Sequence, residues 1–267
     1  MRLSVREKEW NRMIKEEAAF LEKAASKKDT MLGNLLEEKV PAKLQDTLDS
    51  AFAKAFEMIF QKGTGIIEKT YKKEALEYQH KLNAYAVDIK EDKKNLRKFR
   101  KTAGSANLRN LVLTSVEGVG MGAFGVGLPD IPLFVGVVLK SVYEVALHYG
   151  YPYDTPEEQY FILKMIETSL SHGSDLLGKN AELNQYIEKP KLPAGYDLQS
   201  QIIDTSSTMS KELLYLKFLQ GIPVVGAVGG AYNTIYLQRV LKYARVKYQR
   251  RFLYDKKSSG FTPDDAC

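Results

Sequence analysis

The chain has 267 residues, of which 44% are hydrophobic and 27% charged, and a net charge of +6. That is enough chain to bury a sizeable core in one large or two small domains, and its mean hydropathy of −0.31 favours a water-soluble body. Its one cysteine, Cys267, excludes an intramolecular disulfide and a thiolate metal cluster.

The N-terminal stretch MRLSVREKEWNRMIKEEAAF lacks the apolar centre of a secretory signal, so a conventional secreted or anchored protein is not expected. Residues 4–25 and 42–61 carry apolar side chains at three- and four-residue spacing. In the second they are Leu44, Leu48, Phe52, Ala55, Phe56 and Ile59, one face of a helix. Residues 66–101 read as one long charged helical stretch without proline. Helix is predicted again over 155–172, with Thr155 as cap, Pro156 in the first helical position, Glu158 in the capping-box position and Gly173 as the stop. Residues 186–199, with Pro190, Pro193 and Gly195, read as a loop, and the tail from Lys256 as disordered. Period-two alternation is almost absent, so the expected fold class is all-α, a multi-helix bundle. Its divisions are a charged N-terminal helical arm (1–101), a helical core (102–255) and a tail (256–267).

Two stretches stand apart. Leu111–Leu139 and Phe218–Leu237 are nearly free of charge and rich in glycine, and are expected as helices at the centre of the bundle. Gly118 and Gly122 lie four apart, as do Gly226 and Gly230, which would make smooth strips where helices pack closely. A span of a bilayer takes about 20 apolar residues. Glu117, Pro129 and Pro132 interrupt the first stretch and the second is short, so core helices are expected rather than spans.

The first stretch contains a formal G-x-G-x-x-G at Gly120, Gly122 and Gly125, with Glu144 about twenty residues on. Pro129 and Pro132 break the helix that should hold the pyrophosphate, and no βαβ unit follows, so no nucleotide cofactor is expected. Asp130 reads as an N-cap or as the start of a polar track. Lys140, Glu144 and His148 recur every four residues and share one helix face, either as a solvated stripe or as a buried ion pair with a histidine. Asp130, Lys140, Glu144 and His148 are thus the candidate catalytic set of a hydrolase-type alternative. Glu144 and His148, with His172 or Asp175 as outsiders, fall short of a metal site. Ser206, Ser207, Thr208 and Ser210 form a hydroxyl cluster with no base beside it. Glu157 and Glu158 are accounted for by the helix dipole.

Charge is uneven. Residues 1–110 hold 24 Lys/Arg against 17 Asp/Glu, residues 111–240 hold 8 against 13, and residues 241–267 hold 7 against 3. The sharpest basic cluster is Lys93, Lys94, Arg97, Lys98, Arg100 and Lys101. A second runs through Arg239, Lys242, Arg245, Lys247, Arg250 and Arg251. Each adjoins an apolar glycine-rich stretch. That pairing suits an anionic membrane surface or lipid, with Lys93, Lys94, Arg97, Lys98, Arg100, Lys101, Lys247, Arg250 and Arg251 as the binding residues. Nucleic acid is not expected, for want of a recognised motif.

The runs GLPDIPLFVGVVLKSVYEVALHYGY (127–151), LKFLQGIPVVGAVGGAYN (216–233) and YQRRF (248–252) resemble the signature of the EcsC family. The likeness covers residues 111–252, with a looser match near Trp10, Arg12 and Met13. Gln159 and Pro152 depart from the pattern beside the Tyr149-Gly150-Tyr151 turn. The resemblance implies a bacterial intracellular protein of unassigned biochemistry whose founding member is encoded beside an ABC transporter, and it brings no catalytic residues. The expectation is a non-enzymatic cytoplasmic protein, peripheral at the inner face of the membrane, with an anionic lipid or a transporter as partner.

Overall fold

The computed structural model describes residues 3–25, 40–61, 65–68, 71–104, 130–219 and 231–258. Among them there is no strand, and the chain is an all-α bundle. The elements are α1 (Val5–Ala25), α2 (Ala42–Gln61), α3 (Gly65–Glu68), α4 (Lys73–Ile89), α5 (Lys93–Gly104), α6 (Asp130–His148), α7 (Pro156–Leu170), α8 (Gly173–Glu188), α9 (Leu198–Leu219) and α10 (Ala231–Ser258).

Local chemistry sets the helix starts. Ser4 and Glu7 form a reciprocal capping box: Glu7 N donates to Ser4 Oγ at 3.1 Å and Ser4 N to the Glu7 carboxylate at 2.7 Å. Thr155 Oγ1 accepts from Glu158 N at 3.2 Å, with Pro156 behind it, as expected. Asp197 accepts from Ser200 N at 2.8 Å at the start of α9. The charged stretch 66–101 is not one helix: it is interrupted before Lys73 and again at Lys90–Asp92, where Asp92 accepts from Asn95 N at 2.8 Å and starts α5. Nor does Gly173 end a helix. α7 closes at Ser171, and Gly173, at φ +55°, opens α8.

The core is built around α6 and α10, which pack on each other. α2, α4 and α5 also lie on α6; α1, α7 and α8 also lie on α10; and α9 bridges α2 and α7. α6 buries Ile131, Phe134, Val135, Val138, Leu139, Val142 and Tyr143. Ile131–His148 is the one helix among the described residues long and apolar enough to cross a membrane, but its side chains fill the bundle interior. The described residues among the first 101 pack into the same core, with Met13, Phe20, Phe52 and Phe56 all buried. Much of the glycine-rich sequence, Gly118, Gly122, Gly226 and Gly230 included, lies outside the described residues, as does the tail beyond Ser258.

α6 ends in a Schellman turn. Tyr151 N donates to Ala146 O at 3.0 Å and Gly150 N to Leu147 O at 3.0 Å, with Gly150 at φ +86°. His80 of α4 completes this end: its Nδ1 lies 2.9 Å from His148 O and donates to it in the matching tautomer. The dihedral favours glycine at 150, and a Cβ there would have to displace the His80 imidazole.

Candidate functional site

α5 carries the first basic cluster on a clean amphipathic frame. Leu96 and Phe99 are buried, and Phe99 stacks on Phe252 of α10 with ring centres 4.4 Å apart. Asn95 Nδ2 ties the turn down by donating to Ala86 O and Lys90 O, each at 2.9 Å. The opposite face presents Lys93, Lys94, Arg97, Lys98 and Lys101, all exposed, around an open basin of ≈ 540 Å³. No carboxylate among the described residues pairs with any of these five. Like charges at three- and four-residue spacing repel one another, so an arriving anion relieves the repulsion as well as adding attraction. Arg100 belongs to the inner side instead, bound to Glu9 at 2.9 Å.

The second basic cluster is not a surface. Lys247 is fully enclosed, donating to Glu17 at 2.8 Å and Asn184 at 2.6 Å. Arg250 reaches the other oxygen of Glu17 at 2.9 Å and lies over the Trp10 ring. Burial alone would raise the Glu17 carboxyl, but Lys247, Asn184 and Arg250 outweigh it and hold it at about 2. Burial, with Arg250 adding to it, lowers Lys247 to about 8 despite Glu17. The two shifts weigh oppositely on stability. Two cations and an amide all favour the Glu17 anion, so the pair is held as ammonium and carboxylate near neutrality.

Arg251 meets Glu158 at 2.6 Å and covers the Tyr151 ring at 4.0 Å, while Tyr248 Oη donates to Glu158 at 2.6 Å. Burial pushes the Glu158 carboxyl up, whereas Glu158 holds Arg251 up. These directions disagree. The guanidinium is charged in either case and a 2.6 Å contact suits a carboxylate, so the pair is ionised near neutrality. Lys247, Arg250 and Arg251 are therefore corrected from a membrane face to interior connectors: they lie on the side of α10 that the other helices cover. Glu158, assigned to the dipole at the sequence level, is a buried counter-ion.

The polar track on α6 is a core feature. Lys140 and His148 are buried and Glu144 is half-buried. Burial raises Glu144, with Lys140 opposing, and lowers His148 to about 4, with His80 adding to the effect. Asp130 opens α6, and its side chain lies outside the described residues. Lys140, Glu144 and His148 are thus successive turns of one packed helix. Of the hydroxyl cluster, Ser210 accepts from Gln45 at 2.6 Å and bonds Asp49 of α2, Thr208 donates to Asp204 O at 3.1 Å, and Ser206 Oγ is buried with no hydrogen-bond partner among the described residues.

Sequence reasoning missed a further buried cluster. Glu212 accepts from Arg239 at 2.8 Å and from His172 Nε2 at 2.7 Å, and Arg239 also donates to Ser171 O at 2.7 Å. Only the position of Arg239 next to a long apolar run hinted at an interior guanidinium. No group of three or more metal-ligating side chains occurs among the described residues.

The chain is 24% identical over 265 residues to Protein EcsC of Bacillus subtilis (strain 168), covering 94% of this chain and 98% of that protein. It is 26% identical over 148 residues to the uncharacterized protein YdbA of the same organism, covering 53% of each. No solved structure matches. The model of the EcsC protein family matches residues 6–253, from the first turn of α1 to the last third of α10, and the chain belongs to that family.

Proposed function

We propose that this EcsC-family protein is a non-enzymatic, peripheral membrane protein of the cytoplasm that binds anionic lipid through the outer face of α5. One observation carries the reading. The chain has two basic clusters, and carboxylates neutralise much of the second inside the bundle, whereas Lys93, Lys94, Arg97, Lys98 and Lys101 stand together, exposed and without an ion-pair partner among the described residues. The five cations repel one another across a face in water, and an anionic surface would relieve that repulsion and add attraction.

Vesicle co-sedimentation tests it. Binding should be stronger to vesicles with 30 mol% phosphatidylglycerol than to pure phosphatidylcholine, and should fall with salt. Each cation near the surface contributes up to about 1 kcal/mol, so Lys94→Glu, Arg97→Glu and Lys98→Glu together should weaken binding by roughly a hundredfold or more. Equal binding to both vesicles, or no change in the triple variant, would refute the reading. A second reading, a hydrolase using Asp130, Lys140, Glu144 and His148, has the perturbed protonation of Glu144 and His148 in its favour. Burial in a core helix accounts for both shifts without any chemistry.

A further inference from the structure

We infer that the docking element is the whole α4–α5 hairpin, with an apolar stripe on α4 entering the lipid interface while α5 holds the headgroups. The inference rests on the peripheral-membrane reading and names the part of the molecule that penetrates.

Large exposed apolar residues occur singly on α1, α8, α9 and α10, as Ile14, Leu177, Ile203 and Ile235, and single ones are ordinary. α4 is different. Tyr78, Leu82, Tyr85 and Ile89 are 64%, 47%, 66% and 61% exposed. They fall at i, i+4, i+7 and i+11, which stacks them in one line about 16 Å long at 1.5 Å per residue. The buried positions of the helix, Asn83 and Val87, are on the opposite side. The exposed charges beside the line are Glu74, Lys81 and Lys90, with the half-buried Glu77 next to Tyr78. A row of large apolar side chains turned to water opposes the rule that puts such residues on the packed face of a helix, so it calls for a cover.

Charge and side-chain type identify the cover. α4 and α5 pack on each other and both on α6, and the apolar line of α4 and the five cations of α5 each lie opposite the buried positions of their own helix. A groove for an apolar peptide would not need five cations, and a polyanion would not need an apolar line. A bilayer surface with anionic headgroups takes both at once. Two of the four residues are tyrosines, which favour the headgroup level because the ring is apolar and the hydroxyl stays wet. Asp88, next to Ile89, is taken up by Lys256, so it adds little negative charge to the line.

The test uses the full chain. In a Trp10→Phe, Tyr85→Trp variant the sole tryptophan sits on the stripe. Its emission should shift to the blue on phosphatidylglycerol vesicles and be quenched by brominated acyl chains. Leu82→Glu with Ile89→Glu should weaken vesicle binding roughly tenfold or more while the far-ultraviolet spectrum and melting temperature stay unchanged. Unchanged vesicle binding with no quenching would overturn the inference and leave the α5 reading standing. If the paired glutamates instead turn a self-associating protein into a monomer with vesicle binding intact, the cover is a second copy and the inference falls. Absence of any sedimentation by the unaltered protein would remove both readings.

Discussion

Glu17→Gln is the sharpest perturbation of this fold. The carboxylate receives Lys247 at 2.8 Å and Asn184 at 2.9 Å on one oxygen and Arg250 at 2.9 Å on the other. Glutamine keeps the volume but removes the charge, which leaves the enclosed ammonium of Lys247 without its counter-ion. Breaking one side of a buried pair costs about 3–5 kcal/mol. For a domain of this size that corresponds to a fall of roughly 10 °C in melting temperature. The control is Lys247→Met, which removes the stranded charge. Glu17→Gln with Lys247→Met should recover at least about 1–2 kcal/mol relative to Glu17→Gln alone, because the ion no longer has to be buried. Calorimetry and urea titration of the two single variants and the double variant measure the cycle. A loss below about 1 kcal/mol for Glu17→Gln, or strictly additive effects, would show that water reaches the site and that the pair is not interior. The acid limb gives an independent check. The native carboxyl, at about 2, binds fewer protons than the unfolded one at 4.5 between those values. Its contribution, about 3 kcal/mol, is complete above pH 4.5 and is lost as pH falls towards 2. Glu17→Gln should flatten that limb.

Other substitutions test other joints. Gly150→Ala forces a side chain into φ +86° and against His80, so it should cost on the order of 2–4 kcal/mol by thermal melting, and His80→Ala in the same chain should relieve the contact but not the dihedral. Thr155→Ala removes one capped N–H at α7 and should cost about 0.5–2 kcal/mol in urea unfolding, with Thr155→Ser near neutral. His148, lowered to about 4 by burial and by His80, is neutral in the native chain while the unfolded form protonates near 6.5. Stability should therefore drop as pH falls from 6.5 to 4, and His148→Gln should remove about 3 kcal/mol of that slope in melting scans, whereas an unchanged slope would place His148 in water.

The legible part of the fold was the part written in local periods. The line Leu48, Phe52, Ala55, Phe56 and Ile59 is buried as its spacing predicts, and Thr155 caps α7. The break at Lys90–Asp92 was written just as locally, in an Asp92 cap three residues before Asn95, but the run of charge around it hid the cap. Gly150 was legible as a turn and not as a contact. Its second constraint comes from His80, 70 residues away, and no local pattern reports such a neighbour. Glu158 misled for a related reason. A carboxylate in a first turn is satisfied by the dipole alone, so nothing nearby signals that Arg251, 93 residues on, reaches it.

The two basic clusters show where composition stops and register begins. Each holds six cations, and each adjoins a glycine-rich run. On α5 the five outward cations fall off the line of Leu96 and Phe99, so the apolar face packs and the charge faces water. On α10, Lys247 follows Val240, Tyr243 and Ala244 by seven, four and three residues, which places its ammonium on the packed face. A cation there must find a carboxylate inside, and Glu17 supplies it; Arg251 lies four residues beyond Lys247 and finds Glu158 in the same way. The spacing could be read from sequence, but the counter-ions could not, because Glu17 is 230 residues from Lys247. The same comparison decides where an external anion can act. Charges already matched inside have little to gain from lipid and are expensive to withdraw, whereas the α5 cations gain attraction and lose repulsion together. Salt should therefore weaken vesicle binding without melting the bundle: screening acts on the exposed face within about 8–10 Å of solution and hardly on pairs that exclude solvent.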